Sequence, residues 1–282
     1  MSNSLDKPID HTQVNSDGPI KVSNVMKDDF GFEIPQESVP LPSRGVIYTQ
    51  DGALYGQETI DIRPMTAREE DILTSRAYIK SGTVLTKLLK SCIVDKNIKP
   101  DDLISGDRNA LLVSLRITGY GADYDVEVDC PECGTKSKQA FDLSQLKIKR
   151  LEVDPVVMGD NLFEVQLPIT KKTVRVKFLT GHDEREMMIT NERKKKSGMK
   201  VETAITDRLS RSIVSVDGIT DRNKLNFFVK NIPARDSLSL RRFLDKHEPG
   251  IIMKSWMNCP HCHEQSEVGL PMGASFFWPD TE

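Results

Sequence analysis

The chain has 282 residues with 39 Lys and Arg against 42 Asp and Glu, a formal charge of −3. That balance removes the electrostatic case for a general nucleic-acid or membrane-surface binder. Hydrophobic residues make up 38% and charged residues 29%, so a packed core is feasible, and no apolar run approaches the roughly 20 residues of a membrane span. Met1 to Asp10 is polar and lacks the apolar stretch of a targeting signal, so a soluble, cytoplasmic chain of one large or two small domains is expected. Five cysteines, four of them in two close pairs, argue for metal ligation in a reducing compartment rather than a disulfide scaffold.

Residues 1–38 hold seven acids and three lysines with few large apolar residues. Such a segment cannot bury enough surface to offset its ordering entropy, which predicts a flexible acidic arm. Phe30, Phe32 and Ile34 are its exception, as a stretch pinned to the body or as a docking peptide. The body opens at Val39-Pro40-Leu41-Pro42-Ser43-Arg44-Gly45, an extended path and a turn before the β-prone Val46-Ile47-Tyr48. A strand over Thr59–Arg63 follows. Thr66-Ala67-Arg68-Glu69 has capping-box spacing, so a helix is predicted from Ala67. Ile72 and Leu73, then Leu85, Leu88, Leu89 and Cys92, recur at helical spacing on either side of Ser81-Gly82, which suggests two helices or one interrupted helix, with Cys92 in the core. Leu111, Leu112 and Leu115 mark another helix, and alternating Tyr124, Val126 and Val128 run as a strand into Cys130.

The second half repeats this order. Strand Thr173–Lys177 precedes a second capping box, Thr180-Gly181-His182-Asp183, displaced by 114 residues from the first. Val201, Ile205, Leu209 and Ile213 then recur every four residues. Asp236, Leu240 and Leu244 lie 129 positions after Asp107, Leu111 and Leu115, and Cys259 and Cys262 lie the same 129 positions after Cys130 and Cys133. The offset grows by 15 residues between helices. Five features in the same order imply two divergent copies of one α+β unit, residues 39–148 and 149–275, with the extra length of the second around Arg193 to Gly218.

The strongest chemical signal is Cys130-Pro131-Glu132-Cys133 with Cys259-Pro260-His261-Cys262. A C-x-x-C segment at a strand-to-strand turn points both sulfurs inward, and two such knuckles supply the four thiolates of a closed structural Zn²⁺ site with no open position for substrate. Because Cys133 and Cys259 are 126 residues apart, the metal would bolt the end of one repeat to the end of the other in a zinc-ribbon-like site. The alternatives are His261 or His263 in place of a sulfur, an iron on four sulfurs, or a redox dithiol. His182-Asp183-Glu184 has the H-x-E form of zinc deaminases but lacks their P-C-x-x-C partner, and no phosphate-binding, zincin or hydrolase motif is present. No catalytic or cofactor-binding residue is therefore assigned. Arg193-Lys194-Lys195-Lys196, with Lys171, Lys172 and Lys200, reads as a solvated run without interleaved aromatics; phosphate gripping is its alternative. Phe276-Phe277-Trp278, in a C-terminal tail over 276–282, either folds back onto the core or anchors in a partner's pocket.

The chain resembles the baseplate hub proteins of T-even-type contractile-tailed bacteriophages. The resemblance is carried by Val39 to Tyr48, by Met65-Thr66-Ala67-Arg68-Glu69-Glu70-Asp71-Ile72-Leu73, and by the paired C-P-x-C segments, and it spans about residues 39–275. It implies a non-enzymatic component of the hub or inner baseplate, or a factor that assembles it in the host cytoplasm, contacting other tail proteins in the virion and possible as an oligomer there. The alternative is a zinc-ribbon nucleic-acid-binding or regulatory protein.

Overall fold

In a computed structural model of the chain, residues 22–27, 31, 33–196, 203–272 and 274–277 are described. Val22–Lys27 (β1) pairs antiparallel with Glu33–Pro40 (β2), and β2 pairs with Thr59–Ile62 (β3). The expectation of a flexible arm to residue 38 therefore fails over 22–27 and 33–38. Buried Val39, Ile60 and Ile62 anchor this sheet in the core, and its ladder hydrogen bonds extend into the polar residues before them. Residues 1–21, with Phe30 and Phe32, lie outside the described residues. The strand expected at Val46–Tyr48 is a series of turns. Arg44 and Gly45 both have positive φ, 56° and 70°, which takes the backbone out of the extended region. Ile47 and Tyr48 are still buried, so their β-branched and aromatic character reports packing rather than pairing.

The first helix, Ala67–Thr74 (α1), begins at the expected capping box: the Glu69 carboxylate accepts the Thr66 amide at 2.9 Å and its hydroxyl at 2.7 Å. Ser75 and Gly82 then divide the helical pattern into Arg76–Ser81 (α2) and Val84–Cys92 (α3). Gly82, at φ 64°, supplies the left-handed stop that a side-chain-bearing residue resists. Ser105–Tyr120 (α4) leads into an antiparallel hairpin, Asp123–Asp129 (β4) and Lys136–Asp142 (β5).

After the short Ile148–Lys149 (β6) come Phe163–Gln166 (β7) and Thr173–Val176 (β8), again an antiparallel pair. Gly181–Lys196 (α5) and Ala204–Ser212 (α6) follow, and Ile213–Val216 (β9) returns to β8. Arg222–Asn231 (α7), Ala234–His247 (α8), Gly250–Ile251 (β10, paired with β6) and a second hairpin, Lys254–Asn258 (β11) with Gln265–Gly269 (β12), complete the order. In each half a strand pair, a capped helix, a nine-residue helix and a longer helix precede a hairpin. Part of the second half's extra length lies in α7, beyond the 193–218 window the sequence offsets indicate.

One buried carboxylate in each half ties its longer helix to the turn behind its strand pair. Asp107, third in α4, accepts the Ser43 amide at 2.9 Å and the Tyr48 and Ser43 hydroxyls. Asp236, third in α8, accepts the amides of Ile169 and Thr170 at 2.7 and 3.0 Å. Leu41-Pro42 and Leu167-Pro168 introduce these turns. The two acids titrate in opposite directions. Burial raises Asp107, whereas at Asp236 the two backbone amides overcome burial and lower it, as amides aimed at a carboxylate favour its charged form.

A single hydrophobic cluster runs through both halves. Their seam is backbone: Ser105 N–H donates to Leu179, Gly181 N–H to Leu103 and His182 N–H to Asp101. The Asp101 carboxylate gathers Arg108, Arg185 and the Thr86 hydroxyl across it. Gly106 permits the closest approach. A Cβ there would stand 1.8 Å from the Pro249 carbonyl oxygen, a backbone atom that cannot swing aside. Among the described residues no helix is long and apolar enough to cross a membrane.

Two predictions follow from this packing. Gly106→Ala should lower stability by about 2 kcal/mol through overpacking, read as a fall in the denaturant midpoint at unchanged slope. At Glu69, burial opposes ionisation, but hydrogen bonds from Arg63, Ser91 and Thr66 outweigh it and hold the carboxyl at about 2 against an ordinary 4.5. A depressed carboxyl contributes stability that is present above the unfolded value and lost as pH falls through the folded one. Glu69→Gln should therefore flatten the acid limb of the stability profile between about pH 4.5 and 2.

Candidate metal centre

Each hairpin turn is built the same way. Cys130 N–H donates to the Thr135 carbonyl and Gly134 N–H to the Cys130 carbonyl; in the other, Cys259 N–H donates to Glu264 and His263 N–H to Cys259. Gly134 and His263 hold the same left-handed position, at φ 69° and 62°. His263 is thus a turn residue. Each turn carries one cysteine pair, Cys130 and Cys133 between β4 and β5 and Cys259 and Cys262 between β11 and β12.

The hairpins face each other. Cys130 Sγ lies 3.8 Å from Cys262 Sγ, and Cys133 Sγ lies 3.7 Å from Cys259 Sγ. All four sulfurs fall within 4.8 Å of one another. A sulfur tetrahedron around zinc, with Zn–S of about 2.3 Å, has edges of about 3.8 Å. A disulfide requires about 2.05 Å, so the spacing fits a shared cation and not a bond. The cluster contains neither His261 nor His263, and the arrangement is compatible with one zinc site. Cys92, the fifth cysteine, is buried in the core as expected, and burial pushes its thiol up to about 12.

The electrostatics of the cluster are divided. The Thr135 hydroxyl and amide pull Cys133 down to about 6, and the Cys262 and His261 amides lower Cys259. At Cys262 the Glu264 amide acts the same way, but burial and the neighbouring sulfurs outweigh it and push the thiol up to about 12. Amides and hydroxyls that favour thiolates, with sulfurs too close for all to ionise, are the donor chemistry of a metal site.

Other residues singled out in the sequence lie elsewhere. His182 is on the exposed first turn of α5, 3.1 Å from Asp102, and Asp183 is spent on the helix cap and Lys177, so the H-x-E segment does not join the cluster. Lys194 pairs with Asp207 and Lys172 with Asp217; Lys200 lies outside the described residues. Phe276 and Phe277 are corrections to the partner-anchor reading. They are 0% and 2% exposed, with Phe276 edge-on to Tyr124 at 5.2 Å, so this chain's own core occupies both rings. Trp278 lies outside the described residues.

The residue that holds this tail was missed in the sequence. Arg116, buried in α4, donates to the carbonyls of Phe276 at 2.8 Å, Gly121 at 2.6 Å and Asp123 at 2.8 Å. An arginine inside the apolar run Leu111 to Ile117 was the available signal, since such a charge is buried only when its donors are satisfied. Arg116→Ala should cost about 3 kcal/mol by stranding these carbonyls, measured by chemical denaturation. Cys130→Ser should lower bound zinc and melting temperature together, whereas Cys92→Ser should leave zinc content unchanged, both read by native mass spectrometry and thermal melting.

Neither a curated protein nor a solved structure is matched by the chain. The model of the family described as T4 bacteriophage base plate protein matches residues 47–278, which takes in both strand pairs' helices, both hairpins and all four clustered cysteines. The chain therefore belongs to the T4 bacteriophage base plate protein family, which supports a structural component of a phage tail baseplate.

Proposed function

We propose that the chain is a non-enzymatic subunit or assembly factor of the hub or inner region of a contractile-tail baseplate, built from two divergent copies of one unit and clasped by one structural zinc ion on Cys130, Cys133, Cys259 and Cys262. The observation that carries this reading is the convergence of two sulfur pairs, from hairpins at equivalent places in the two halves, to within 4.8 Å inside a chain of a baseplate family. Four sulfur ligands leave a tetrahedral ion no open position for water or substrate, which suits a structural site. The shared order of elements and the paired roles of Asp107 and Asp236 support duplication, with units over 39–148 and 149–275. The partners are other tail proteins, and assembly takes place in the host cytoplasm.

The hub assignment is finer than the family and rests on the motif at Val39 to Tyr48 and the segment from Met65 to Leu73. Quantitative mass spectrometry of purified tailed particles tests it. A fixed, small copy number relative to the tail-tube protein is expected. Absence from particles, together with failure to co-elute with tail proteins from infected cells, would contradict it.

A further inference from the structure

Between α1 and α3 lies an open groove of about 760 Å³, lined by Arg63, Arg68, Lys87, Lys90 and Lys96 against a single acid, Asp71. Its sign is opposite to the chain's net charge of −3. Two of the five cations are already committed. Arg63 forms a two-pronged pair with the buried Glu69, and Lys96 Nζ donates to the carbonyls of Ser91 in α3, at 3.2 Å, and of Ile93 just beyond it, at 2.6 Å. Arg68, Lys87 and Lys90 are exposed and have no carboxylate partner among the described residues; Lys87 only overlies the Tyr78 ring, at 5.8 Å.

In the second half, the corresponding pair of helices matches two of its cations with its own carboxylates. There α5 and α6 are joined by Arg211 to Glu186 and by Lys194 to Asp207, while Lys177 and Asp183 repeat the Arg63–Glu69 pair. Asp207 is the fourth residue of α6, and Lys87 is the fourth residue of α3. Thus the first half carries a lysine where the second carries the acid that balances its cations.

We propose that the α1–α3 groove docks an acidic segment of another protein chain, whose carboxylates pair with Arg68, Lys87 and Lys90 as Asp207 and Glu186 pair with Lys194 and Arg211. Carboxylates fit better than the phosphates of a nucleic acid, because the internal counterpart is a carboxylate solution and the one aromatic ring in the groove is covered by Lys87 rather than open to a base. Lys96, whose ammonium is held by neutral carbonyls rather than by a carboxylate, adds to the positive charge of Arg68, Lys87 and Lys90 before any partner arrives, which favours encounter with an acidic surface. The inference rests on the baseplate reading only in taking the occupant to be a protein.

The test uses the full chain and a fluorescein-labelled Glu-rich peptide, with its Gln counterpart and an oligonucleotide of equal charge as comparisons. Anisotropy should show binding of the Glu peptide alone. Carbodiimide coupling, which joins lysine to carboxylate, should place the peptide at Lys87 and Lys90. Lys87→Asp with Lys90→Gln should weaken binding on the order of tenfold at unchanged melting temperature, and Arg68→Gln alone should weaken it less. Coupling spread equally to Lys194 and Lys196, unchanged affinity in the variants, tighter retention of the oligonucleotide, or coupling to Asp6, Asp10 or Asp17 of the same chain would each overturn the proposal. Absence of the chain from tail particles would instead fail the baseplate reading and leave the peptide result standing.

Discussion

Four sulfur atoms held within 4.8 Å of one another cannot all carry charge unless a cation sits among them, and this constraint organises the end of the molecule where the two hairpins meet. Neither hairpin has a large core of its own. Two-stranded hairpins are marginal in water, and the less exposed positions of β5 and β12 include a single large apolar side chain each, Phe141 and Val268. The two sulfur pairs are separated by most of a domain's worth of chain, so whatever joins them restricts the unfolded ensemble as well as the folded one. A cation at this place converts binding free energy into alignment of the two hairpins.

The rest of the seam prepares that alignment. Backbone hydrogen bonds between 101–105 and 179–182 fix the two halves in register, and the close approach at Gly106 lets the α4 start meet the Pro249–Gly250 backbone without a side chain between them. Asp107 and Asp236 then orient the two longer helices that feed the hairpins. Arg116 adds a third tie, drawing the Phe276 carbonyl and its ring onto α4 and β4. These interactions are polar groups satisfied inside an apolar cluster, so removing one partner costs more than the bond itself contributed.

What was legible in the sequence was local chemistry. Both capping boxes, the break at Gly82 and the C-x-x-C turns are set by residues within a few positions of each other, and each stands where its spacing put it. Long-range pairing was not legible. The acidic composition before residue 38 pointed to a flexible arm, yet β2 is held by a partner strand some twenty residues later in the chain. The α7 helix was overlooked because its pattern buries only Leu225 and Val229 and leaves Phe227 exposed; Asp221, which caps it by accepting the Lys224 amide at 2.9 Å, was the signal for it. The aromatic tail could be read as core or as anchor, since hydrophobicity does not say which surface a ring will meet. The structure puts Phe276 and Phe277 in the core. For the candidate metal centre, the sequence named the four residues, but that sulfurs from opposite hairpins would approach to 3.7 and 3.8 Å depends on the whole seam.

The central claim is that one zinc ion is shared between hairpins at the ends of the two halves. Native mass spectrometry of the purified chain, beside variants in which Cys130 and Cys133, or Cys259 and Cys262, are replaced in pairs by serine, tests it most directly. The account predicts one zinc per wild-type chain and its loss from both variants alike. Retention of zinc by either paired variant would show that a single hairpin suffices, and would contradict a clasp between the two halves.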